Sequence, residues 1–239
     1  VICDLHSNSG SPSAIAPRQV LMKIINLLKE NDLKAIVAPE LEFYLCEKNL
    51  DPNIPLQTPV GKSGRRANGS DVFGIDSVNE FDVFLDDIYD YCETLDIGVD
   101  TLVHESGPSQ IEINLNHGDP LKLADQTFMF KRAVRQVALK HGIHATFMAK
   151  PHQGQPGSSM HIHQNLVSIK NGNNIFSDKN GKESEKFYNY IGGLQTYLPD
   201  AMVFFAPYVN SYRRFVIDAS APINTHWGFE NRTVGLRVP

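Results

Sequence analysis

The sequence predicts an α+β fold, with helices packed over one face of a mostly antiparallel β-sheet. Some segments repeat apolar residues at helical spacing, and others alternate apolar and polar residues as strands do. The order in which these segments follow one another favours this class. With 239 residues, 41% of them hydrophobic and 21% charged, the chain can bury a sizeable core as one large domain or two small ones.

The first half of the chain supplies two predicted helices and a long strand. Pro17 opens the first helix at the position where its missing N–H costs nothing. Residues 33–46 predict a strand, and residues 47–79, rich in Pro, Gly, Asn and Ser, predict a long loop. An amphipathic helix follows over residues 79–95, and Asn79 is its expected N-cap.

The middle of the chain contains the strongest helix signal. Short strands are predicted over 99–105 and 110–116. The helix over 119–140 starts with Asp-Pro and carries basic residues late, and Gly142 lies just past its end. A strand over 143–149 follows.

The last third alternates loops with regular elements. Residues 151–158 predict a Gly/Pro loop, and residues 160–169 predict a strand that ends near an Asn171-Gly172 turn. A helix is predicted from about 183 to 201, and the remainder is expected to be loop and strand.

Composition excludes several classes of protein. A net charge of -5 without a basic block provides no electrostatic footprint for nucleic acid. The sequence contains no run of 18 or more apolar residues, so we expect no membrane span, and we also expect no signal peptide. Three cysteines without CxxC spacing suit reduced thiols, so we expect a cytoplasmic protein.

Both ends of the sequence resemble cut ends. Residues 1–5 predict a strand without a lead-in, and residues 235–239 stop within another predicted strand. Because complete domains usually end in polar, frayed residues, we expect the chain to be a fragment.

Several predicted strands gather polar side chains on one face, because residues two apart on a strand point the same way. Glu40 and Glu42 share a face, and so do His161 and His163. A sheet with one solvated face would show the same pattern. The other residues that contribute to this pattern are Glu105, Glu112, Asn114 and Asn116.

If these strands are neighbours, four carboxylates converge near one imidazole. Two carboxylates about 4 Å apart repel by roughly 4 kcal/mol at an effective dielectric of about 20, so protons or cations must neutralise the cluster. Oxygen-rich ligands with one histidine suit Mg²⁺ or Mn²⁺ better than Zn²⁺. The pattern predicts a divalent-metal site, and a two-metal phosphohydrolase would use the same carboxylates.

The C-terminal stretch concentrates arginines in an acidic protein, at Arg213, Arg214, Arg232 and Arg237. Guanidinium groups match phosphate and carboxylate geometry, although a surface ion pair is usual for any single arginine. Gly157 could let the backbone approach a ligand or could form a plain turn. The chain lacks GxxxxGK[ST] and GxGxxG, so neither common motif would hold a nucleotide.

Taken in order, five motifs resemble the glutamine synthetase family along nearly the whole chain. They are Ala38-Pro39-Glu40-Leu41-Glu42-Phe43; His104-Glu105 with Gln110-Ile111-Glu112; Thr146-Phe147-Met148-Ala149-Lys150-Pro151 with Gly157-Ser158-Ser159-Met160-His161-Ile162-His163; Asn210-Ser211-Tyr212-Arg213-Arg214; and Asn231-Arg232-Thr233 through Arg237-Val238-Pro239. The resemblance implies that residues 1–239 are the central part of a catalytic domain, with a curved antiparallel sheet and helices on its outer face.

The resemblance implies two sites for Mg²⁺ or Mn²⁺. Glu42, Glu105 and Glu112 would hold the metal nearer the amino-acid substrate. Glu40 and His161 would hold the second metal, which bridges the phosphates of ATP.

The remaining roles concern glutamate, ATP and a small amine. By resemblance, the Gly157 backbone would contact glutamate and Arg214 would bind its carboxylate. Arg232 and Arg237 would stabilise the phosphates, His163 would lie near the nucleotide, and Arg214 and Arg232 would be the catalytic arginines. The implied reaction makes γ-glutamyl phosphate and ADP, and an amine then displaces phosphate to form an amide.

One departure from the family shifts the expected amine. Ammonia-using members carry a Pro-Gly-Tyr-Glu-Ala-Pro flap, whereas residues 217–222 read Ile-Asp-Ala-Ser-Ala-Pro, with Ser220 in place of the ammonium-binding Glu. This change, with Trp227-Gly228 and residues 156–159, resembles the γ-glutamylpolyamine synthetase branch and favours an organic amine such as putrescine. Asp218 could replace the missing Glu, which keeps ammonia as an alternative.

A catalytically silent, structural family member is the third possibility. It is disfavoured because every metal-ligand position that the sequence covers is filled.

The family's active site also needs parts that the sequence lacks. In the family, a β-grasp domain from a neighbouring subunit completes each site within stacked rings, so the resemblance implies a homo-oligomer, a dodecamer. Neither that N-terminal domain nor the C-terminal remainder with the last metal carboxylate is present, so we expect the chain alone to be inactive or nearly so.

Overall fold

The computed structural model describes residues 1–67, 69–217 and 221–239. Its centre is a five-stranded antiparallel sheet, and a separate parallel pair lies near the C-terminus. The strands are β1 (Leu33–Glu47), β2 (Val99–His104), β3 (Gln110–Leu115), β4 (Ile143–Thr146), β5 (Met160–Ser168), β6 (Trp227–Phe229) and β7 (Leu236–Val238). The helices are α1 (Pro17–Glu30), α2 (Ile75–Asn79), α3 (Asp82–Thr94), α4 (Pro120–Lys140), α5 (Glu185–Phe205) and α6 (Val209–Tyr212).

The long strand β1 lies at the centre of the sheet because it pairs along both edges. One edge pairs with β3, and the other pairs with β5 along its first part and with β4 along its last part. Strand β2 extends the sheet beyond β3. All of these pairings are antiparallel, so the predicted α+β class is confirmed.

One face of the sheet forms the hydrophobic core with helices α3 and α4. Phe43 and Ile111 alternate with polar neighbours along their strands and are completely buried. They belong to one cluster with Ile88 of α3 and Phe130 of α4. Burying a side chain of this size contributes about 1.5–3 kcal/mol. The predicted arrangement of helices over one face is therefore confirmed, and the opposite face carries the polar residues of the same strands.

Helix α4 begins and ends at the residues that the sequence indicated. The Asp119 side chain accepts hydrogen bonds from the backbone N–H groups of Leu121 and Lys122, at 3.0 and 3.1 Å. Pro120 occupies the first turn, where no intrahelical partner is needed. Gly142 follows the helix with φ at +77°, a conformation that a glycine adopts without strain.

The predicted strand over residues 1–5 is wrong. The nearest pairing is an isolated bridge between His6 and Pro12, and Val1 and Leu5 are exposed. Residues 1–5 are mostly apolar, but among the described residues no strand provides the hydrogen-bonding partners that a strand requires.

The predicted helix start at Asn79 is also wrong, because residues 75–79 form the separate helix α2 within the expected loop. The backbone carbonyl of Glu80 accepts a hydrogen bond from Lys62 N–H in the preceding loop, at 3.1 Å. Helix α3 then starts after Phe81, which has no side-chain cap and packs into the core instead.

Other boundaries move by a few residues. β4 ends at Thr146 rather than 149, because β1 pairs with β4 only from Tyr44 to Glu47 and the same edge pairs with β5 from Leu33 to Leu41. Helix α5 runs to Phe205, and the short helix α6 lies within the segment predicted as loop and strand. Within the described residues, no helix combines the length and the apolar character needed to cross a membrane.

Candidate metal and phosphate site

The polar face of the sheet brings acidic and histidine side chains together across three strands. Glu40 of β1 lies opposite His161 of β5, and Glu42 lies opposite Glu112 of β3. One ligand atom each from Glu40, Glu112 and His161 lies within 4.8 Å of the others. The alternation read from the sequence therefore identified residues that are neighbours in space.

The two histidines of β5 both contact Glu40. His161 Nδ1 lies 3.2 Å from one carboxylate oxygen, and His163 Nε2 lies 2.6 Å from the other. Hydrogen bonding to His161 is the main cause that lowers the pKa of Glu40 to about 2, and it also raises the pKa of His161. Glu40 is therefore a charged, oriented carboxylate at neutral pH.

Glu112 has a raised pKa because its carboxyl is partly buried among other carboxylates. Burial raises the pKa of its carboxyl to about 7, with further contributions from the charges of Glu40, Glu42 and Glu105. A carboxyl whose charged form is disfavoured by burial and by neighbouring carboxylates is stabilised if a cation replaces the proton. The donor set of carboxylate oxygens with one imidazole fits Mg²⁺ or Mn²⁺.

Glu42 is the most deeply buried carboxylate of the group, at 8% exposure. Its oxygens accept hydrogen bonds from the Ser159 backbone N–H at 3.0 Å, the Ser159 hydroxyl, and the Gln110 side-chain amide at 3.1 Å. Three donors from the protein fix the orientation of this carboxylate.

Glu105 lies at the end of β2, half-buried, with its pKa raised first by burial and then by the charge of Glu42. Glu112 is close to residues of both implied metal sites: it lies opposite Glu42, and one of its oxygens lies within 4.8 Å of ligand atoms of Glu40 and His161. Which carboxylates serve which of two metals stays a prediction.

Gly157 and Arg214, expected to bind the same substrate, lie side by side. A Cβ added to Gly157 would lie 2.6 Å from Arg214 Nε and 2.6 Å from the backbone oxygen of Ala149. Arg214 Nε is buried and has no hydrogen-bond partner among the described residues, and burial lowers the pKa of the guanidinium. A buried, unsatisfied donor of this kind is suited to an anionic ligand.

The other arginines lie at the surface. Arg232 is exposed and close enough to Glu105 for its charge to lower the pKa of that carboxyl. Arg237 is exposed on β7, opposite Gly228 of β6. Asp218 and Ser220, which bear on the expected amine, lie outside the described residues.

Two supporting side chains were given no role by the sequence reasoning. Gln110 is buried on the same face as Glu112, two residues away, and contacts Glu42. The Tyr44 hydroxyl donates to the backbone oxygen of Pro156 at 2.8 Å. Strand parity places both on the acidic face, but only the structure shows which groups their polar atoms meet.

Comparison with known proteins finds similar sequences and similar solved structures. The family described as "Glutamine synthetase, catalytic domain" matches residues 14–239. The chain is 40% identical over 234 residues to "Gamma-glutamylputrescine synthetase PuuA" of Escherichia coli (strain K12). It is 37% identical over 230 residues to a glutamine synthetase of Pyrococcus abyssi (strain GE5 / Orsay).

Each of these two matches covers 96% of this chain and 49% of the relative, so the chain spans about half the length of the curated relatives it matches. The solved structure "Apo GmaS without ligand" superposes with a TM-score of 0.82 at 28% identity, over 99% of this chain and 53% of that one.

Proposed function

Because the chain belongs to the glutamine synthetase catalytic-domain family, we propose that the intact protein is an ATP-dependent ligase that joins the γ-carboxylate of glutamate to an amine. The observation that carries this proposal is the convergence of Glu40, Glu112 and His161 within 4.8 Å, with the half-buried Arg214 close enough to Glu42 for their charges to interact. Such a site combines negative charge for metals with positive charge for phosphate or carboxylate.

The acidic face would hold two divalent cations through Glu40, Glu42, Glu105, Glu112 and His161. When bound, these cations supply charge neutralisation for ATP and for the transferred phosphoryl group. Hydrogen bonds from Ser159 and Gln110 to Glu42, and between His163 and Glu40, hold these two carboxylates in fixed orientations.

Gly157 and Arg214 would bind glutamate. The absence of a side chain at Gly157 leaves room for the guanidinium beside it, and among the described residues the buried Nε of Arg214 has no hydrogen-bond partner. Holding the γ-carboxylate against the γ-phosphate of ATP makes the first step effectively intramolecular. Arg232 and Arg237 would stabilise the charge of the phosphates, and His163 would lie near the nucleotide.

The amine is proposed to be organic, with putrescine as the first candidate. Support comes from the 40% identity to a protein named gamma-glutamylputrescine synthetase. Ser220 adds to this, because a hydroxyl replaces the carboxylate expected for ammonium binding. The 37% identity to a glutamine synthetase favours ammonia as the second candidate.

An amine-panel assay on the intact protein tests both candidates. Glutamate, ATP and Mg²⁺ or Mn²⁺ are supplied with putrescine, ethanolamine, other small amines or ammonium, and the γ-glutamyl product is identified by mass spectrometry. Putrescine is expected to be preferred over ammonium. Preference for ammonium would favour the second candidate, and no amide with any amine would overturn the ligase proposal.

The assembly of the intact protein is also a proposal. A β-grasp domain from a neighbouring subunit would complete the site within a homo-oligomer of stacked rings, a dodecamer in the cytoplasm. Light scattering on the intact protein distinguishes a dodecamer of this kind from a monomer or dimer.

A further inference from the structure

Gln110 lies where the acidic face meets the loop that contains Gly157. It is the first residue of β3, it is only 1% exposed, and it lies opposite Tyr44 of β1. The side chain therefore occupies a fixed position between two elements that the proposed function assigns to different ligands, metal on one side and glutamate on the other.

Every polar atom of the Gln110 amide has a partner. Its Oε1 accepts a hydrogen bond from the Gly107 backbone N–H at 2.9 Å. Its Nε2 donates to Glu42 Oε2 at 3.1 Å and to the Gly157 carbonyl at 3.1 Å, and Ser158 Oγ lies farther away at 3.4 Å. An amide has two N–H groups, and Glu42 and Gly157 are the two closer acceptors.

This bonding leaves the amide one orientation. A flipped amide would place its oxygen against the Glu42 carboxylate and the Gly157 carbonyl, and its N–H groups against the N–H of Gly107. Acceptors would then face acceptors and donors would face a donor, so these hydrogen bonds would be lost. At a buried position, each unsatisfied polar group costs about 1–3 kcal/mol. Gln110 therefore holds a carboxylate of the acidic cluster and the backbone of the glycine loop at a fixed separation.

We propose that Gln110 is a positioning residue that couples metal binding by the acidic face to glutamate binding by the Gly157 loop. The glutamate part rests on the proposed function, whereas the effect on metal binding does not depend on turnover. Outer contacts that orient a metal ligand typically change metal affinity by about 10–100-fold when removed.

The test uses Gln110→Glu in the intact protein, because it keeps the shape of the side chain and removes both donors. The new carboxylate would face Glu42 and the Gly157 carbonyl and would push both away from their positions. Gln110→Met, which removes the donors without adding charge, is measured beside it, so that the displacement of Glu42 is separated from the attraction of an extra carboxylate for Mn²⁺. We expect about 10-fold or greater weakening of Mn²⁺ binding in calorimetry without substrates. We also expect a rise of similar size in KM for glutamate, with a smaller change in kcat.

Gln195→Glu is the matched control. Gln195 is half-buried on α5, and its Nε2 donates to the Thr225 carbonyl at 2.9 Å, so this bond involves neither the acidic cluster nor the glycine loop. The same chemical change there should leave Mn²⁺ affinity and KM for glutamate within about 2-fold of the original protein.

Tyr44→Phe tests the effect on glutamate binding separately from the effect on metal binding. It removes the hydroxyl that holds Pro156 in the glycine loop but leaves the Gln110 bond to Glu42 in place. We expect KM for glutamate to rise while Mn²⁺ affinity stays the same.

The proposal is overturned if Gln110→Glu keeps both Mn²⁺ affinity and KM for glutamate, or if Gln195→Glu or Tyr44→Phe weakens Mn²⁺ binding equally. If Gln110→Glu does not fold, Gln110→Met removes the same donors without adding charge and is judged by the same criteria. Absence of any γ-glutamyl product from the unsubstituted protein would instead count against the proposed function, and the Mn²⁺ titration would still decide the metal arm.

Discussion

The two regions that carry the candidate site are built in different ways. The acidic side draws Glu40, Glu112 and His161 from three strands that are paired residue by residue. The main hydrophobic cluster behind them has all of its described members between Val37 and Phe147. The acidic side is therefore held by both strand register and a core.

The arginine side is held by smaller structures. Arg214 follows the four-residue helix α6, and Arg237 lies on a strand of only three residues. Nearby, Phe187, Trp227 and Phe229 form an aromatic cluster in which the ring of Trp227 lies 5.9 Å from Phe187 and 5.5 Å from Phe229. The difference indicates that the acidic side is held by the sheet and the core, whereas the arginine side relies on local contacts.

The largest effect on stability is expected from Phe130→Ala, in the core behind the acidic face. Phe130 is completely buried, and truncating such a side chain costs about 3–5 kcal/mol of the free energy of unfolding. Phe204→Ala on α5 is the control, because Phe204 is 81% exposed and its loss should change stability by about 0.5 kcal/mol or less. Urea unfolding measures the free energy of unfolding of both variants. Equal losses of stability would contradict the conclusion that a buried core supports the acidic side.

Gly157→Ala tests the place where the two regions meet. The added methyl group would lie 2.6 Å from the Ala149 carbonyl oxygen, so the backbone or Arg214 must move. A displacement of this kind costs on the order of 100-fold in ligase activity, measured as kcat/KM for glutamate.

Gly192→Ala is the control for this substitution. A Cβ at Gly192 of α5 meets nothing within 4 Å, so activity should be unchanged and stability should rise by up to about 1 kcal/mol. If Gly157→Ala behaves like Gly192→Ala, the close approach of the loop to Arg214 has no role in the reaction.

A smaller effect is expected in the pH dependence of stability with a chelator present. The Glu112 pKa rises from its ordinary value of 4.5 to about 7 on folding, so the folded state binds this proton more tightly and loses stability as pH rises through that interval. Glu40 has the opposite sign, since its pKa is lowered to about 2, and its contribution is lost as pH falls below about 4.5.

Glu112→Gln identifies the group responsible. Urea unfolding between about pH 4.5 and pH 8 should show a flatter profile for this variant than for the unsubstituted protein. An unchanged profile would mean that the carboxyl does not bear the charge repulsion assigned to it.

Periodicity was sufficient to predict the parts of the fold that depend on long paired strands and capped helices. Glu40 and His161 could be placed on shared faces because strand side chains alternate, and α4 could be bounded from Asp119 to Gly142 because its cap chemistry is local. The strand over residues 1–5 could not be judged in this way, since strand formation depends on a partner distant in sequence.

The sequence placed acidic and histidine side chains on shared strand faces, but it could not show which of their atoms meet. Glu112 lies opposite Glu42 and also has a ligand atom within 4.8 Å of those of Glu40 and His161, so the division between two metals stays a prediction. Gln110 gained a role only when its amide was seen between Glu42 and Gly157. Side-chain orientation of this kind depends on the packing of several elements and leaves no local signal in the sequence.

Titration of Mn²⁺ into the intact protein by calorimetry, without substrates, tests most directly whether the acidic face is a metal site. We expect saturable binding whose affinity is weakened by about 100-fold or more in Glu112→Gln. Removing an outer contact of a metal ligand already lowers metal affinity by about 10–100-fold, and this variant removes a proposed ligand itself. Glu93→Gln, at an exposed position on α3, should bind as the unsubstituted protein does. Binding that is absent from the unsubstituted protein, or that survives Glu112→Gln unchanged, would contradict a metal centre on this face.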